Sequence, residues 1–560
     1  MRPSPIRRNK LDFRNRSRSF LRFATRFSAR TRIAFLYLTM RTGMILIICI
    51  CCSCVRESSH SQSWSDGVVY EVFVRSYYDS DGDGIGDLKG LEMKLDYIRE
   101  LGVNAIWLMP IFESPSYHGY DVTDYYKINK DYGTMEDFES LMAACKRKGL
   151  KVVLDLVLNH TSSQNPWFLK SLLGEAPFDT YYLWRDEPPG GDWRVYTQRA
   201  SLENGGWRYH NKRSKYFYAF FDASMPDLNM ENPAVRTEAK NIAKFWLEKG
   251  VDGFRLDAAQ NIIEEGPGDG LQFNSPSTVE WWIEFSQFVK SVNPEALLVG
   301  EIWASPDVLA RYYAHGRGLD LCFNFPLEFA MLHSLKTGTA DSIIAAIQML
   351  KNQEAPFSYF APFLSNHDQE RIMTTLEGNE KKARLAAVLL LTAPGTPFLY
   401  YGEEIGMHQS VFSHATTRTP MQWSNETVTA GFTSGNKPWA EPGNNTDPFN
   451  VGYQLNTDNS LFRFYQSLLT IRKTYPALRY GDYKFHKFDH RIIAFNRIFK
   501  EQDVSVLINL SDSVREIDFP KIEGTYKNLV NQQKVVIREG FSLQPYESLV
   551  LKRTNLRSGF

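Results

Sequence analysis

The sequence lacks an excess of charge of either sign, because its 560 residues include 64 Lys and Arg against 64 Asp and Glu. A chain without net charge gives no electrostatic reason to bind nucleic acid, so nucleic acid is not predicted as a partner. No feature of the sequence predicts a protein partner either. A neutral substrate suits this balance.

Cysteine is scarce in the body of the chain. Of the six cysteines, four lie at positions 49, 51, 52 and 54, and the others are Cys145 and Cys322. No disulfide framework follows from this distribution. Cys145 lies on the apolar face of a predicted helix and Cys322 in an apolar run typical of a strand. Both are therefore predicted to be buried core residues.

The amino-terminal region is basic and is followed by an apolar stretch at residues 45–52, which is too short to span a bilayer. Basic residues, a short apolar run and then Cys54 resemble a bacterial lipoprotein signal, in which the cysteine carries the lipid. We exclude residues 1–62 from the fold and expect a secreted protein or a membrane-anchored lipoprotein of the cell envelope. Two alternatives stay open: a start codon assigned too early, with Met40 or Met44 the true start, or an organelle transit peptide. Without a signal the protein would be cytoplasmic.

From residue 68 onward, short apolar runs alternate with helical patterns, which is typical of parallel strands joined by helices. The predicted strands are residues 68–74, 103–109, 151–158, 251–256, 296–302, 319–323, 357–364 and 396–401. Eight such units close most naturally into an α/β fold, the (β/α)8 TIM barrel. In this barrel the functional residues lie at the carboxyl ends of the strands.

The predicted helices carry local signals at their ends. Apolar residues recur every three or four positions over residues 88–101, which predicts an amphipathic helix that ends at Gly102. Thr134 and Asp137 form a capping-box pattern at the start of the next helix. A third helix is predicted over residues 233–248.

The alternation of strands and helices is interrupted twice. An aromatic and charged stretch replaces the helix after the third strand, which predicts a small inserted domain at residues 161–224. Near the carboxyl end, alternating strands without helices predict a β-sandwich domain at residues 480–560. The barrel itself is then predicted in two parts, at residues 63–160 and 225–479.

Three acids follow predicted strands: Asp257, Glu301 and Asp368. A charged carboxylate beside a strand core is costly unless it is paired or used. Structural ion pairs with Arg255 and Arg371 are one explanation. Glycoside hydrolysis is the other, since it needs one acid to protonate the leaving oxygen and a carboxylate to meet the oxocarbenium-like carbon. Arg255 lies two residues before Asp257, on the same strand face, where its charge is expected to keep that carboxylate ionised.

Four motifs around these residues resemble the α-amylase family of glycoside hydrolases, over about residues 64–552. They are DLVLNH at 155–160, GFRLD at 253–257, GEIW at 300–303 and FLSNHD at 363–368. The resemblance implies a retaining α-glycosidase with Asp257 as nucleophile, Glu301 as general acid/base and Asp368 as the residue that distorts the bound sugar. It further implies a group that holds this sugar, made of Tyr120, His160, Arg255 and His367.

Within the family the sequence supports two modes of cleavage. The motif MPDLN at 225–229, with RTPMQW downstream, resembles a group between oligo-1,6-glucosidases and neopullulanases that includes bacterial α-amylases. Ala258 and Ala259 after the nucleophile also resemble enzymes that cleave α-1,4 bonds. Asp121 and Arg418, by contrast, resemble a pair that closes the non-reducing end of the cleavage site and favours exo action.

We therefore expect hydrolysis of α-1,4 bonds in starch-type glucans and maltooligosaccharides. An exo-acting α-glucosidase, an oligo-1,6-glucosidase or a transglycosylase built on the same residues is the first alternative. A carbohydrate-binding surface lipoprotein is the second.

An acidic loop follows the first predicted strand, and its alternating oxygen ligands and glycines suit calcium. The loop is not an EF-hand, since Gly90 stands where the bidentate glutamate would be. It resembles the calcium loop of oligo-1,6-glucosidases, which implies a structural calcium ion held by Asp79, Asp81, Asp83, Asp87 and the carbonyl of Ile85. A solvated acidic turn is the alternative. The second calcium site of α-amylases is put in doubt, because Asn261 stands where those enzymes have a histidine.

Overall fold

The computed structural model of the chain describes residues 64–191, 193–195, 205–409, 413–443, 447–486, 489–517 and 523–554. The predicted signal segment, with Cys54, lies outside the described residues. Among the described helices, none is both long enough and apolar enough to cross a membrane.

The strands are mostly short and occur along the whole described chain. They are Val69–Val72 (β1), Ala105–Leu108 (β2), Phe112–Glu113 (β3), Asp124–Ile128 (β4), Lys151–Leu156 (β5), Trp184–Arg185 (β6), Trp207–His210 (β7), Lys215–Tyr218 (β8), Gly253–Leu256 (β9), Leu297–Gly300 (β10), Leu321–Phe323 (β11), Phe360–Ala361 (β12), Phe398–Tyr400 (β13), Asp482–Phe485 (β14), Ile492–Phe499 (β15), Gln502–Asn509 (β16), Arg515–Glu516 (β17), Gly524–Asn528 (β18), Lys534–Ile537 (β19), Ser542–Leu543 (β20) and Ser548–Arg553 (β21).

The α-helices alternate with the strands of the first two thirds of the chain and then follow one another. They are Leu88–Met93, Leu95–Leu101, Met135–Lys148, Pro166–Leu172, Pro233–Glu248, Pro276–Val292, Pro306–Tyr313, Phe325–Thr337, Asp341–Lys351, Ile372–Thr375, Glu380–Thr392, His414–Thr417, Val451–Asn456, Leu461–Thr474 and Ala477–Tyr480.

The central sheet has eight parallel strands in the order β12-β11-β10-β9-β5-β2-β1-β13. Its two edges are joined by a hydrogen bond of 2.9 Å from the Phe398 backbone N–H to the Pro362 carbonyl. The predicted (β/α)8 barrel is therefore confirmed. The strand predicted at 357–364 is shorter than expected, because the prolines at positions 356 and 362 on either side of it cannot donate to a strand ladder.

Both faces of the barrel strands are buried. In β2, Ala105 and Trp107 pack into the barrel interior, whereas Ile106 and Leu108 pack in the cluster that includes the surrounding helices. Such two-sided burial explains why these strands have continuous apolar sequences rather than alternating ones. Cys145 and Cys322 are buried free thiols, as predicted.

The helix signals are confirmed with one exception. Gly102 takes the left-handed conformation with φ of 105° and ends its helix. Thr134 and Asp137 exchange the two hydrogen bonds of a capping box. The helix predicted over 88–101 is instead two helices, because Lys94 has non-helical angles of −102° and 4°.

Four further sheets stand outside the barrel in the described part of the chain, and the smallest of them include the pair β3-β4. The antiparallel sheet β6-β8-β7 lies in the chain between the third barrel strand and the helix Pro233–Glu248. The carboxyl-terminal part has a six-stranded antiparallel sheet, β14-β15-β16-β21-β18-β19, and the two-stranded sheet β17-β20. These two sheets share an apolar cluster, in which Leu543 from β20 packs with Leu507 and Leu549. The predicted fold class is thus confirmed, and the exact domain boundaries stay predictions.

Candidate active site

The three acids singled out by the sequence line one cavity of about 460 Å³. Asp257 directly follows β9, Glu301 directly follows β10, and Asp368 lies in the loop after β12. The carboxyl ends of barrel strands meet at one face, which explains how residues more than 40 positions apart come together. The volume is within the range usual for small-molecule sites.

Arg255 connects the acids at the base of this cavity. It lies in β9, is 1% exposed, and donates from one guanidinium nitrogen to Asp257 Oδ1 at 2.6 Å and to Asp155 Oδ1 at 2.8 Å. Its other terminal nitrogen donates to Glu301 Oε2 at 2.6 Å. A single guanidinium therefore faces three buried carboxylates.

This imbalance of charge governs the ionisation of the acids. Burial, together with the carboxylates of Glu301 and Asp155, raises the pKa of Asp257 to about 8 against the lowering effect of Arg255. Arg255 thus acts in the predicted direction, but burial and the neighbouring carboxylates outweigh it. Asp257 therefore holds its proton more tightly than an ordinary aspartate does.

Glu301 is held in a fixed orientation by donors on both of its oxygens. Oε2 accepts from the Ala258 backbone N–H at 3.0 Å, and Oε1 accepts from the Trp303 indole N–H at 3.0 Å. Ala258 has a left-handed backbone with φ of 45°, which turns its N–H toward this carboxylate. Trp303 is 42% exposed and stacks on Phe325 with ring centroids 3.7 Å apart.

Asp368 is surrounded by positive groups. Its Oδ1 accepts from Arg418 at 2.7 Å and lies 3.5 Å from His414 Nδ1, and its Oδ2 lies 3.0 Å from His367 Nε2. Burial raises the pKa of Asp368, but His367, His414 and Arg418 together outweigh burial and hold the pKa well below its usual value. Asp368 is therefore ionised at neutral pH.

Tyr120 and His160 also line the cavity. The Tyr120 hydroxyl donates to Asp155 Oδ2 at 3.0 Å, and its ring lies nearly parallel to His367, with an interplanar angle of 15°. Burial lowers the pKa of His160 to about 3, so its imidazole is neutral. His160 Nε2 has no hydrogen-bond partner among the described residues and can bind a ligand hydroxyl.

Asp121 and Arg418 have separate partners. Asp121 accepts hydrogen bonds from the hydroxyls of Ser114 and Ser116. Arg418 donates to Asp368 and to the His367 carbonyl, the latter at 3.0 Å. Within the described chain, no ion pair of 4.0 Å or less joins Asp121 to Arg418.

The acidic loop brings carboxylates together away from the cavity. Oxygen atoms of Asp79, Asp81 and Asp87 all lie within 4.8 Å of one another. Asp83 accepts from the Ile85 backbone N–H at 2.7 Å. Burial raises the pKa of Asp83, and the carboxylates of Asp81 and Asp79 also raise it, against the lowering effect of the bond from Ile85. A set of oxygen-only ligands fits a hard cation such as calcium.

Comparison with known proteins identifies the chain. Residues 71–481 match the family model for the α-amylase catalytic domain. The chain is 39% identical to alpha-amylase 3 of Dictyoglomus thermophilum, covering 88% of this chain and 94% of that protein. It is 32% identical to an oligo-1,6-glucosidase of Parageobacillus thermoglucosidasius, covering 87% of this chain and 98% of that protein. The crystal structure of an α-amylase from H. orenii matches with a TM-score of 0.76 and 38% identity, covering 87% of this chain and 99% of that chain.

The chain belongs to the α-amylase family. It is accordingly a glycoside hydrolase, as the sequence predicted. The family assignment covers α-amylases and α-glucosidases together, and α-glucans and oligosaccharides are the substrates that fit it.

Sequence reasoning missed several residues of this α-amylase family site. Trp303 and His414 line the cavity. Trp303 ends the motif GEIW but was given no role, and nothing local to His414 distinguishes it from a surface residue. Asp155 and Glu71 are different, because each is an acid inside an apolar strand, at 1% and 2% exposure. An acid in a buried strand is a detectable signal, and it could have identified both.

Proposed function

We propose that this α-amylase family enzyme hydrolyses α-1,4-glucosidic bonds in starch-type glucans and maltooligosaccharides with retention of configuration. The observation that carries the proposal is the arrangement of Asp257 and Glu301. Both carboxylates follow neighbouring barrel strands, face one cavity and bind the same guanidinium, that of Arg255. Two acids that face one cavity and bind one guanidinium match the pair of carboxyl groups that glycoside hydrolysis requires.

In the proposed reaction the protonated Glu301 gives its proton to the glycosidic oxygen as the bond to the anomeric carbon breaks. Asp257 attacks that carbon and forms a covalent glycosyl-enzyme, and the leaving sugar departs with the proton. Glu301, now ionised, takes a proton from water, whose oxygen displaces Asp257. Each of the two displacements inverts the configuration of the anomeric carbon, so the product retains the configuration of the substrate.

The sugar is held in this proposal by three residues that line the cavity, Asp368, His160 and Tyr120, and by His367, which is buried beside Asp368. Asp368 is ionised and bound to Arg418, so it can accept hydrogen bonds from the 2- and 3-hydroxyls and favour a distorted ring. His160 and His367 bind hydroxyls. Tyr120 provides a ring face on which the sugar can stack.

The preference for α-1,4 bonds is supported by the wall of the cavity and by the relatives. Met225 and Ala258 both line the cavity, and these positions are the ones where the sequence resembles α-amylases. An α-amylase is among the relatives at 39% identity, whereas the oligo-1,6-glucosidase of P. thermoglucosidasius is 32% identical. The alternative, an exo-acting α-glucosidase, uses the same acids.

A product profile tests this proposal. Maltoheptaose should give maltose, maltotriose and longer fragments at the earliest times, isomaltose should remain uncleaved, and sucrose and trehalose serve as further controls. Glucose as the sole initial product, or faster cleavage of isomaltose than of maltotriose, would instead establish the exo-acting alternative. Proton NMR of the first product should show the α anomer, as retention requires.

We also propose that the acidic loop holds a structural calcium ion, with Asp79, Asp81, Asp83 and Asp87 as side-chain ligands and Ile85 as a carbonyl ligand. The support is the convergence of three of these carboxylates within 4.8 Å. An ion bound there would offset their mutual repulsion and stabilise the folded loop.

For localisation we propose a secreted or membrane-anchored lipoprotein with the lipid on Cys54, supported by the signal-like sequence before it. Mass spectrometry of the mature protein tests this, and an unmodified Cys54 with an intact segment before it would refute it. An additional role in binding surface glucans is tested by a pull-down on insoluble starch with the Asp257→Asn variant.

A further inference from the structure

Glu71 is a buried acid that the proposed mechanism does not use. It lies in β1, where its register neighbours are Trp107 in β2 and Tyr400 in β13, and it is 2% exposed. An unpaired carboxylate at such a position would be costly, so its partner matters. That partner is His367: Glu71 Oε1 lies 2.6 Å from His367 Nδ1 and 3.4 Å from the His367 backbone N–H.

The other ring nitrogen of His367 also faces a carboxylate. His367 Nε2 lies 3.0 Å from Asp368 Oδ2 and 2.6 Å from the Tyr120 hydroxyl oxygen. A neutral imidazole carries a proton on only one nitrogen and presents a lone pair on the other. With Glu71 at one nitrogen and Asp368 at the other, that lone pair would always point at an oxygen anion.

We propose that Glu71 is a positioning residue that holds His367 as a doubly protonated imidazolium in the cleavage site. The Glu71 carboxylate accepts a hydrogen bond from the N–H of His367 Nδ1. The second proton of the imidazolium therefore stays on Nε2, where it is directed toward Asp368 and Tyr120. Glu71 does not need to touch the substrate to do this. It acts through His367, which the proposed function places against the sugar.

The protonation of His367 fixes the direction of a longer chain of hydrogen bonds. Because Nε2 donates, the Tyr120 oxygen accepts, and the Tyr120 hydroxyl proton remains available for Asp155 at 3.0 Å. Asp155 in turn accepts from Arg255 at 2.8 Å. A neutral His367 with a lone pair on Nε2 would draw the Tyr120 proton to itself and remove the bond to Asp155. Glu71 therefore influences the orientation of Tyr120 without contacting it.

Charged and titratable groups from five segments of the chain lie near His367. They are Glu71, Tyr120, Asp155, Asp368 and Arg418. Burial lowers the pKa of His367, but Asp368 and Glu71 outweigh burial and raise the pKa to about 9. Arg418 binds the His367 carbonyl rather than the ring. The two carboxylates thus determine the direction in which the pKa of His367 shifts, in agreement with their short distances to the two ring nitrogens.

The experiment compares the full-length wild-type enzyme with Glu71→Gln, which keeps the shape but removes the charge. A glutamine amide can donate to Nδ1, so a neutral ring with its proton on Nε2 becomes acceptable. Nitrogen-15 NMR of labelled histidine should show a doubly protonated His367 at pH 7.5 in the wild type and a ring that titrates at least about one pH unit lower in the variant. The kcat/KM of the variant should then fall with rising pH across the neutral range, relative to the wild type, because the titrating ring loses its positive charge beside Asp368 even though Nε2 keeps its proton.

Glu404→Gln is the matched control. Glu404 is also a fully buried acid and accepts from Tyr70 and Tyr97, each at 2.6 Å, but it does not line the cavity. The Glu404→Gln variant should leave the His367 resonances and the pH dependence of kcat/KM unchanged. A neutral His367 at pH 7.5 in the wild type, or the same His367 titration in Glu71→Gln as in the wild type, would overturn the proposal. If Glu71→Gln does not fold, the wild-type spectrum alone tests the proposal, because it shows whether His367 is doubly protonated at pH 7.5. Because the NMR result does not depend on the bond cleaved, it stands apart from the test of α-1,4 specificity.

Discussion

We expect a buried acid outside the active site to make the stability of this enzyme fall as the pH rises from 4.5 to about 8. Glu403 follows β13 and is 3% exposed. Its Oε1 accepts from the Tyr465 hydroxyl at 2.9 Å, and its Oε2 has no partner among the described residues. Burial raises the pKa of Glu403 to about 8, helped by the charges of Glu404 and Glu71 and opposed by Tyr465 and Arg371.

The sign of the effect follows from where the proton is held. Below the ordinary pKa of 4.5, Glu403 is protonated in the folded and unfolded states alike, and pH has no effect through it. Between 4.5 and about 8 the folded state alone keeps the proton, so the free energy of unfolding falls as pH rises. At about 1.4 kcal/mol per pH unit, the upper limit of the loss is roughly 5 kcal/mol, reached above pH 8.

Glu403→Gln removes this dependence because the amide does not titrate. We expect the variant to match the wild type near pH 4.5, where both side chains are neutral, and to exceed it in stability at pH 9. Urea unfolding at several pH values, followed by tryptophan fluorescence, measures the difference between the two proteins. The reasoning is refuted if the wild-type and Glu403→Gln midpoints keep a constant separation from pH 5 to pH 9.

Three further predictions concern the active site and the acidic loop. Asp257→Asn and Glu301→Gln should each lower kcat by at least about a hundredfold, because a general acid or a nucleophile contributes that much or more to the rate. The melting temperature of each variant should stay within a few degrees of the wild type. Calcium removal by a chelator should lower the melting temperature, and Asp81→Ala should be less stable than the wild type in calcium and insensitive to the chelator. Ala258→Val should reduce stability, because a β-branched residue is strained at φ of 45°. It should also reduce kcat/KM on maltoheptaose, because the backbone N–H of residue 258 orients Glu301.

Each of these predictions has a control and a contrary outcome. A catalytic variant that keeps a tenth of the wild-type activity, or a product with inverted configuration, would contradict the assignment of the two acids. Asp458→Ala, an exposed acid outside the loop, should keep its response to chelator, and an unchanged wild-type melting curve in chelator would mean that the loop is only an acidic turn. Ala258→Gly keeps the backbone N–H and suits a left-handed conformation, so it should stay active. Equal losses in both Ala258 variants would contradict the argument from backbone strain, because glycine is not strained at this φ.

The fold was accessible from the sequence because its signals are local. A capping box such as that of Thr134 and Asp137, or a left-handed glycine such as Gly102, is complete within a few residues. The barrel acids were found for a related reason, since Asp257 and Glu301 directly follow apolar runs and Asp368 lies a few residues after one. The contact between Glu71 and His367 joins residues 296 positions apart, and no local pattern specifies which buried acid meets which histidine. The acid in β1 was visible as an anomaly, but its partner required the folded barrel.

Asp121 and Arg418 each have protein partners that a glucan chain would compete with. The sequence places the two residues in motifs where they resemble a clamp for the end of a glucan chain. In the folded protein Asp121 is engaged by Ser114 and Ser116, and Arg418 binds Asp368 at 2.7 Å. A charge-assisted bond of this kind contributes about 1.5–3 kcal/mol, so Arg418 would lose about as much by leaving Asp368 as it would gain by pairing with Asp121. A bound sugar end would have to offer Arg418 and Asp121 hydrogen bonds of similar strength to those they already make, and the products formed from maltoheptaose test whether it does.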